Sequence, residues 1–276
     1  MTPANGADDP DILRAVPEGD TIHRTAAGLR RALLGAELTS FQTPRRTNHG
    51  ASPRAGERVE RIEARGKHLL IRFSGGMTLH THMRMTGAWH VYSSADRWRR
   101  PASQARVTLT CGDRVAVCFN APVVELLHER EVERHPRLRA LGPDLCSPEV
   151  DLDDVVRRLA STASSTPVGV ALLDQRIASG IGNVYKSEVL FARRLDPFAP
   201  ISSLDAEQRR GVYATAGEML RANLGSGPRV TAPGGLAVYG KAGRPCPRCG
   251  TPIAARRQGE AVRLTYFCPS CQTSAA

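Results

Sequence analysis

The sequence LLDQRIASGIGNVYKSEVLF, residues 172–191, places a glycine-rich break between two runs of helical character. The apolar spacing predicts one helix over 168–177 and another over 184–192. The glycines between them let backbone amides approach an anion, and Asn183 stands at the start of the second helix, so the pattern favours a phosphate clamp. The alternative is that Asn183 only caps that helix.

The chain before this segment has a different periodicity. Residues 22–33 repeat apolar side chains at helical spacing, and Gly35 is a suitable stop. From 58 to 119 the pattern changes to short alternating runs, which include a hairpin over 106–119. We therefore predict an N-terminal domain over 17–135 that consists of one helix and an antiparallel β-sandwich.

Helical patterns dominate the region that follows. Asp151 is expected to cap one helix, and a long helix is predicted over 205–224 with Gly225 at its end. Residues 226–243 are rich in glycine and proline and indicate a linker. The second domain is predicted over 144–230 and is helical, so the chain is of the α+β multidomain class.

Four of the seven cysteines form a C-x2-C-x18-C-x2-C pattern near the end of the chain. This spacing is typical of a zinc ribbon, and four thiolates suit a closed structural Zn²⁺ site rather than a catalytic one. We predict a third domain over 238–273, a zinc-finger β-hairpin that holds one structural zinc ion. The predicted ligands are Cys246, Cys249, Cys268 and Cys271.

The composition is that of a basic protein, with a formal net charge of +11 and 41% apolar residues. A positive excess of this kind is typical of nucleic-acid binding, although a generally basic protein or one that binds anionic membranes has the same signature. No segment is apolar enough to span a bilayer. An odd number of cysteines without an export signal argues against a disulfide framework, so we expect a cytoplasmic location.

The dipeptide Pro17-Glu18 follows Val16, whose codon can be a bacterial start codon of the GTG type. If translation begins there and the initiator is removed, Pro17 has a free secondary amine that can attack a sugar carbon and form an iminium ion. A terminal amine titrates near pH ~8, so part of it is unprotonated at neutral pH. We expect residues 1–16 to be a disordered extension or a wrongly assigned start. If they are retained, Pro17 is an amide without this chemistry.

Several motifs together resemble the formamidopyrimidine-DNA glycosylase/endonuclease VIII (Fpg/Nei) family. They are PEGDTIHR at 17–24, RGKHLL at 65–70, the segment at 172–191 and VRLTYFCPSCQ at 262–272. The resemblance implies a bifunctional DNA glycosylase/AP lyase of base excision repair, which flips a damaged nucleotide into a pocket and cleaves the strand by β,δ-elimination. It also implies a helix–two-turn–helix second domain. We expect damaged or abasic DNA as the partner, no membrane, a nucleoid-associated bacterial enzyme and a monomer.

The resemblance implies catalytic roles for four residues. Pro17 matches the nucleophile that attacks C1′, and Glu18 matches the acid that protonates the sugar oxygen and assists ring opening. Lys67 matches a strand lysine that contacts phosphate and assists proton transfer. Arg263 matches the ribbon arginine that holds the phosphate beside the lesion and supports δ-elimination.

Three further residues match DNA contacts of the family. Arg84 matches a DNA-contacting position, and Asn183 matches the residue of the helix–two-turn–helix module that binds phosphate. Met85 matches an apolar wedge that fills the gap left by the flipped nucleotide. Outside this context a methionine in such a pattern is more often part of the core.

The chain departs from the formamidopyrimidine branch at residues 120–124, NAPVV, where that branch has an Arg-x-Phe loop. This favours an endonuclease VIII-like enzyme that excises oxidised pyrimidines. The main alternative is a damaged-DNA-binding protein on the same scaffold without catalysis. A zinc-ribbon factor that binds RNA or ribosomes is a third possibility, supported by charge and cysteines alone.

Overall fold

The computed structural model describes residues 16–43 and 52–273, so the predicted N-terminal extension lies outside the described residues apart from Val16. The chain divides into two compact units, and the division falls after Asp20. The sheet unit is Thr21–Ala140. The helical unit comprises the described residues 16–20 and those from Leu141 onward.

The described strands of the sheet unit form two four-stranded antiparallel sheets, with orders β1-β6-β7-β5 and β2-β3-β4-β8. The strands are β1 Ser40–Gln42, β2 Val59–Arg65, β3 His68–Phe73, β4 Met77–His82, β5 Ala88–Ser93, β6 Ala105–Cys111, β7 Arg114–Phe119 and β8 Val123–His128. Two short helices follow, α2 Glu129–Arg134 and α3 Pro136–Arg139.

Helix α1, Gly19–Leu33, supplies apolar side chains to the core of the sheet unit. Its buried residues recur at helical spacing and pack in one cluster with residues of both sheets, because one face of an amphipathic helix must be covered. The helix residues in that cluster are Ile22, Ala26, Leu29 and Leu33. The predicted helix with an antiparallel sandwich is confirmed, including the hairpin of β6 and β7.

The helical unit contains four α-helices in its described part: α4 Leu152–Ala160, α5 Val168–Ala171, α6 Asn183–Ala192 and α7 Ala206–Ala222. Asp151 caps α4, since its side chain accepts a hydrogen bond of 2.8 Å from the Asp154 amide, as predicted. Asp205 caps α7 in the same way through the Gln208 amide. The apolar faces of these helices share one buried core.

The predicted helix over 168–177 is wrong in length, because α5 ends at Ala171. Polar side chains in the following turn bind the local backbone instead. The Asp174 carboxylate accepts from the Arg176 amide, and the Gln175 side chain donates to the carbonyl of Ile181 and accepts from the Gly180 amide. Such side chain–backbone bonds compete with the helical ladder, so the chain turns before α6 begins.

The C-terminal hairpin pairs β9 Ala254–Gln258 with β10 Arg263–Phe267 in antiparallel register, as the sequence predicts. The preceding residues 226–243 form neither helix nor strand, in agreement with their glycine and proline content. In the part of the chain that the structure describes, each helix is too short or too polar to cross a membrane.

Candidate active site

Glu18 is fully buried beside the first turn of α6. Its carboxylate accepts three backbone hydrogen bonds, from the amides of Gly182 at 2.9 Å, Val184 at 2.8 Å and Tyr185 at 3.3 Å. Unpaired amides and the helix dipole at this position favour a negative charge. The amides predicted to clamp a phosphate therefore bind a carboxylate of the same chain.

Close backbone approach at this site explains two glycines. A Cβ atom on Gly182 would lie 2.3 Å from the Glu18 carboxyl carbon. A Cβ atom on Gly19 would lie 2.8 Å from the Gly180 Cα, and the Gly19 amide donates to the Gly180 carbonyl at 2.9 Å. Any side chain at either position would displace Glu18 or the start of α1.

Pro17 is buried between Val16 and Glu18, two residues before the start of α1. A peptide bond joins Val16 to the nitrogen of Pro17. The carbonyl oxygen of Val16 in that bond accepts a 3.3 Å hydrogen bond from Nη2 of Arg229. Arg229 belongs to the segment predicted as a linker. Sequence reasoning missed it, because a single arginine in a glycine- and proline-rich stretch has no periodic signal.

Arg229 also forms a buried ion pair with Asp20, the second residue of α1. Nε donates to one carboxylate oxygen at 2.9 Å and Nη2 donates to the other at 2.6 Å. Only 8% of Arg229 and none of Asp20 is exposed. The guanidinium lies over the Tyr185 ring, 5.0 Å from its centroid. A fixed cation is thus built in beside Pro17.

Asn183 contacts the hairpin at the residue that follows Arg263. Asn183 is the first residue of α6, and Gly182 rather than Asn183 occupies the cap position. The Asn183 side-chain amide donates to the Leu264 carbonyl at 2.8 Å, next to Arg263 at the start of β10. The helix start and the zinc-finger hairpin are therefore directly linked through Asn183.

Lys186 is a buried cationic residue that the sequence did not reveal as part of the site. Its Nζ donates to Oγ1 of Thr265 on β10 at 2.7 Å. Burial, reinforced by the charge of Arg263 and opposed by Glu18, lowers the pKa of Lys186 to about 7. Periodicity gives no signal for it, because Lys186 is followed directly by the polar residues Ser187 and Glu188.

The other predicted residues, Lys67, Arg84 and Met85, belong to the sheet unit. Lys67 lies in the turn between β2 and β3 rather than at the predicted strand start. Arg84 has a φ of +45°, which turns the chain sharply after β4. Met85 is 57% exposed whereas Met83 is 2% exposed, so the methionine predicted as the wedge is not a core residue.

Histidines behind these turns form a chain of hydrogen bonds that was also missed. His68 Nδ1 lies 2.8 Å from His80 Nε2, and His80 Nδ1 lies 2.8 Å from the Glu125 carboxylate. His82 Nδ1 accepts from the Arg84 amide at 3.1 Å. Burial, together with the charge of Lys67, lowers the pKa of His82 to about 4, which keeps this acceptor unprotonated near neutral pH.

The four predicted zinc ligands converge, with all their sulfur atoms within 4.8 Å of one another. The Sγ atoms of Cys246 and Cys271 are 3.9 Å apart, and those of Cys249 and Cys268 are 3.5 Å apart. Tetrahedral zinc with Zn–S bonds of about 2.3 Å places its sulfur atoms roughly 3.8 Å apart. The set fits one zinc ion, which would fix the fold of the hairpin that carries Arg263.

Three family models match this chain. They are the formamidopyrimidine-DNA glycosylase N-terminal domain over residues 16–122, the formamidopyrimidine-DNA glycosylase H2TH domain over 141–232, and a zinc finger found in FPG and IleRS over 243–273. The third match contains the four cysteines, so zinc is the resident metal of this hairpin.

Curated relatives are similar over nearly the whole chain. The probable endonuclease 8 2 of Streptomyces coelicolor is 40% identical over 95% of this chain and 95% of its own length. The DNA-(apurinic or apyrimidinic site) lyase Nei2 of Mycolicibacterium smegmatis is 37% identical over 94% of this chain and 100% of its own. The Fpg of Lactococcus lactis, solved in a complex with abasic-site DNA, has a TM-score of 0.78 at 25% identity, covering 93% of this chain and 99% of that one.

Proposed function

Because this chain belongs to the Fpg/Nei family of DNA glycosylases and AP lyases, we propose that it excises oxidised pyrimidines from DNA and cleaves the abasic site through a Schiff base on Pro17. The observation that carries the proposal is the buried carboxylate of Glu18, the residue directly after Pro17. Three backbone amides fix this carboxylate. A nucleophile and a proton carrier on adjacent residues are the parts that this reaction requires. The endonuclease 8 relatives and the NAPVV sequence at 120–124 support the choice of pyrimidines.

The proposed chemistry uses the terminal nitrogen twice. The lone pair of Pro17 attacks C1′ as the bond from C1′ to the base breaks, and the base leaves with the electron pair of that bond and takes a proton from water. The new ammonium nitrogen then gives its proton to the carboxylate of Glu18, which backbone amides hold directly after Pro17. Glu18 passes that proton to O4′ as the ring opens, which leaves an iminium ion.

Strand cleavage follows from the iminium ion, since it acidifies C2′. Loss of a proton from C2′ expels the 3′ phosphate, and a second elimination expels the 5′ phosphate. Arg263 and Asn183, which is hydrogen-bonded to the carbonyl of Leu264, the residue after Arg263, are proposed to hold the phosphates in the helical unit. Lys67 and Arg84 are proposed to hold phosphates in the sheet unit, where exposed Met85 is proposed as the wedge.

The same scaffold offers a second candidate function, that of a damaged-DNA-binding protein without lyase activity. It applies to a chain that keeps Val16, whose carbonyl Arg229 contacts, because Val16 then acylates the Pro17 nitrogen. An amide nitrogen has no basic lone pair for attack on C1′. The two candidate functions therefore differ in whether the nitrogen of Pro17 is a free amine or an amide.

Borohydride trapping on abasic-site DNA tests the proposal. We expect a covalent adduct with protein prepared to begin at Pro17, and none with protein that keeps residues 1–16. Mass spectrometry of the digested adduct should place the sugar on the peptide that begins at Pro17. An adduct on a lysine, or equal trapping by both forms, would contradict the role of Pro17. Damaged-DNA binding without trapping by either form would favour the second candidate.

A further inference from the structure

The buried pair of Asp20 and Arg229 places a positive charge beside Pro17 in the helical unit. The two groups meet through a bidentate contact with donor–acceptor distances of 2.9 and 2.6 Å. A planar guanidinium held in this way is rigid, since both donors and the ring face of Tyr185 fix its plane. The pair therefore has a defined position beside the start of α1.

A buried ion pair is a poor stabilising device, because the desolvation of both charges offsets much of their attraction. Apolar residues of similar volume would stabilise this position equally well by packing. Burial alone lowers the pKa of the Arg229 guanidinium, but Glu18 and Asp20 outweigh burial and raise it, so the cation persists at every working pH. The pair calls for an explanation beyond folding.

The chemistry of the neighbouring groups narrows that explanation. Tyr185 and Cys146 are neutral near pH 7, since burial raises the pKa of both side chains and Asp20 raises them further. The charges that act on the Pro17 nitrogen thus come from a small set. The titratable or charged groups around the pair include Glu18, Asp20, Asp144, Cys146, Tyr185, Lys186, Arg221, Arg229 and Tyr239.

We propose that Asp20 and Arg229 are positioning residues for the Pro17 nucleophile, which hold the first residues of the chain and keep the terminal nitrogen unprotonated near neutral pH. This inference rests on the proposed function, since it assigns a task only in a chain that begins at Pro17. The Nη2 group that bonds the Val16 carbonyl in this structure then faces the terminal nitrogen. A cation beside an amine disfavours the protonated form of that amine, whereas a carboxylate favours it.

The pair predicts shifts of opposite sign for its two members. Loss of the Arg229 charge leaves the carboxylates of Glu18 and Asp20 without compensation, so the nitrogen holds its proton to higher pH. Loss of the Asp20 charge leaves Arg229 without compensation, so the nitrogen loses its proton at lower pH. Because only the unprotonated amine attacks C1′, the acid limb of the rate profile follows the same directions.

The experiment measures single-turnover trapping of abasic-site DNA by cyanoborohydride between pH 5 and 9, with proteins prepared to begin at Pro17. We expect the acid limb to move up by about one pH unit in Arg229→Gln and down by about one unit in Asp20→Asn. It should lie near the wild-type position in the double variant and in Arg229→Lys. Arg210→Gln, which breaks an exposed ion pair with Asp153 in the same unit, serves as the matched control and should not move the limb.

The outcomes separate this inference from the function on which it depends. Absence of trapping in the wild type would contradict the proposed function itself. Normal trapping in the wild type with one shared acid limb in all variants would overturn the role of the pair alone. If Arg229→Gln does not fold, Asp20→Asn against the double variant still decides the question, because their acid limbs must differ. A uniform loss of rate at every pH would indicate a purely structural pair and would also overturn it.

Discussion

Two buried glutamates, Glu18 before helix α1 and Glu188 within helix α6, accept similar sets of backbone hydrogen bonds. Glu18 and Glu188 are at most 1% exposed, and each carboxylate accepts from three backbone amides. The donors to Glu18 are Gly182, Val184 and Tyr185, in the first turn of α6. The donors to Glu188, within α6, are Ala237, Val238 and Tyr239, together with the hydroxyl of Thr231.

The comparison teaches that burial and amide contacts alone do not identify a catalytic carboxylate. Glu188 fixes the segment 231–239 onto α6 through three backbone amides and one threonine hydroxyl. Glu18 directly follows Pro17, and the backbone amides that bind its carboxylate hold it in place beside that residue. The two glutamates differ in their neighbours, because only Glu18 is adjacent to Pro17. We therefore expect substitution of Glu18 to affect activity and substitution of Glu188 to affect stability.

The largest effect is expected for Glu18→Gln. The amide side chain keeps the volume but cannot accept the proton from the ammonium nitrogen, so base excision should fall by about 10²- to 10⁴-fold. Binding of abasic-site DNA should change little. Single-turnover excision of an oxidised pyrimidine and a binding titration measure the two quantities. The matched control is Glu188→Gln, and equal loss of excision by both variants would remove the distinction between the two glutamates.

The second-largest effect is expected on the stability of the Glu188→Gln variant. An amide presents N–H groups to backbone donors that are already buried, so several contacts are lost at once. We expect a loss of about 2–3 kcal/mol in the free energy of unfolding, the cost of buried donors left without a partner. Urea denaturation measures it. Excision per folded molecule should stay near the wild-type rate, and a large fall in that rate would give Glu188 a role in the chemistry.

The features that follow from hydrophobic periodicity and from cysteine spacing could be predicted from the sequence. The apolar repeat of α1, the hairpin of β6 and β7 and the four-cysteine hairpin were all confirmed. Each of these patterns lies within a short stretch of chain, where every residue responds to its near neighbours. The proximity of Pro17 and Glu18 could also be predicted, because the two residues are consecutive in the chain.

The rest of the site depends on partners far apart in the chain. Glu18 lies 164 residues before the first amide that it binds, and Asp20 lies 209 residues before Arg229. Hydrophobic periodicity has no signal for such pairs, so the amides before α6 were assigned to a phosphate. Local polar contacts likewise ended α5 early, because Asp174 and Gln175 bind the backbone rather than solvent.

Lys186 extends the comparison, since it is a fully buried lysine on α6, two residues before Glu188. Burial and Arg263 lower its pKa in the folded chain to about 7, below the value of about 10.4 in an unfolded chain. Between these two values the unfolded chain binds a proton at this amine that the folded chain does not bind. The free energy of unfolding should therefore rise with pH in this window, with a slope of up to about 1.4 kcal/mol per pH unit from this group.

Lys186→Met removes the titrating amine and replaces it with an apolar side chain of similar length. We expect this variant to be more stable than the wild type near pH 7 and to lose most of the advantage as pH approaches about 10, because the cost of removing the proton of Lys186 on folding falls as pH nears the pKa of the unfolded chain. Urea denaturation at several pH values measures the difference between the two proteins. Parallel stability curves would show that Lys186 keeps its charge in the folded chain. In that case the hydrogen bond to Thr265 would carry a full positive charge beside Arg263, and Glu18 would be the carboxylate that compensates it.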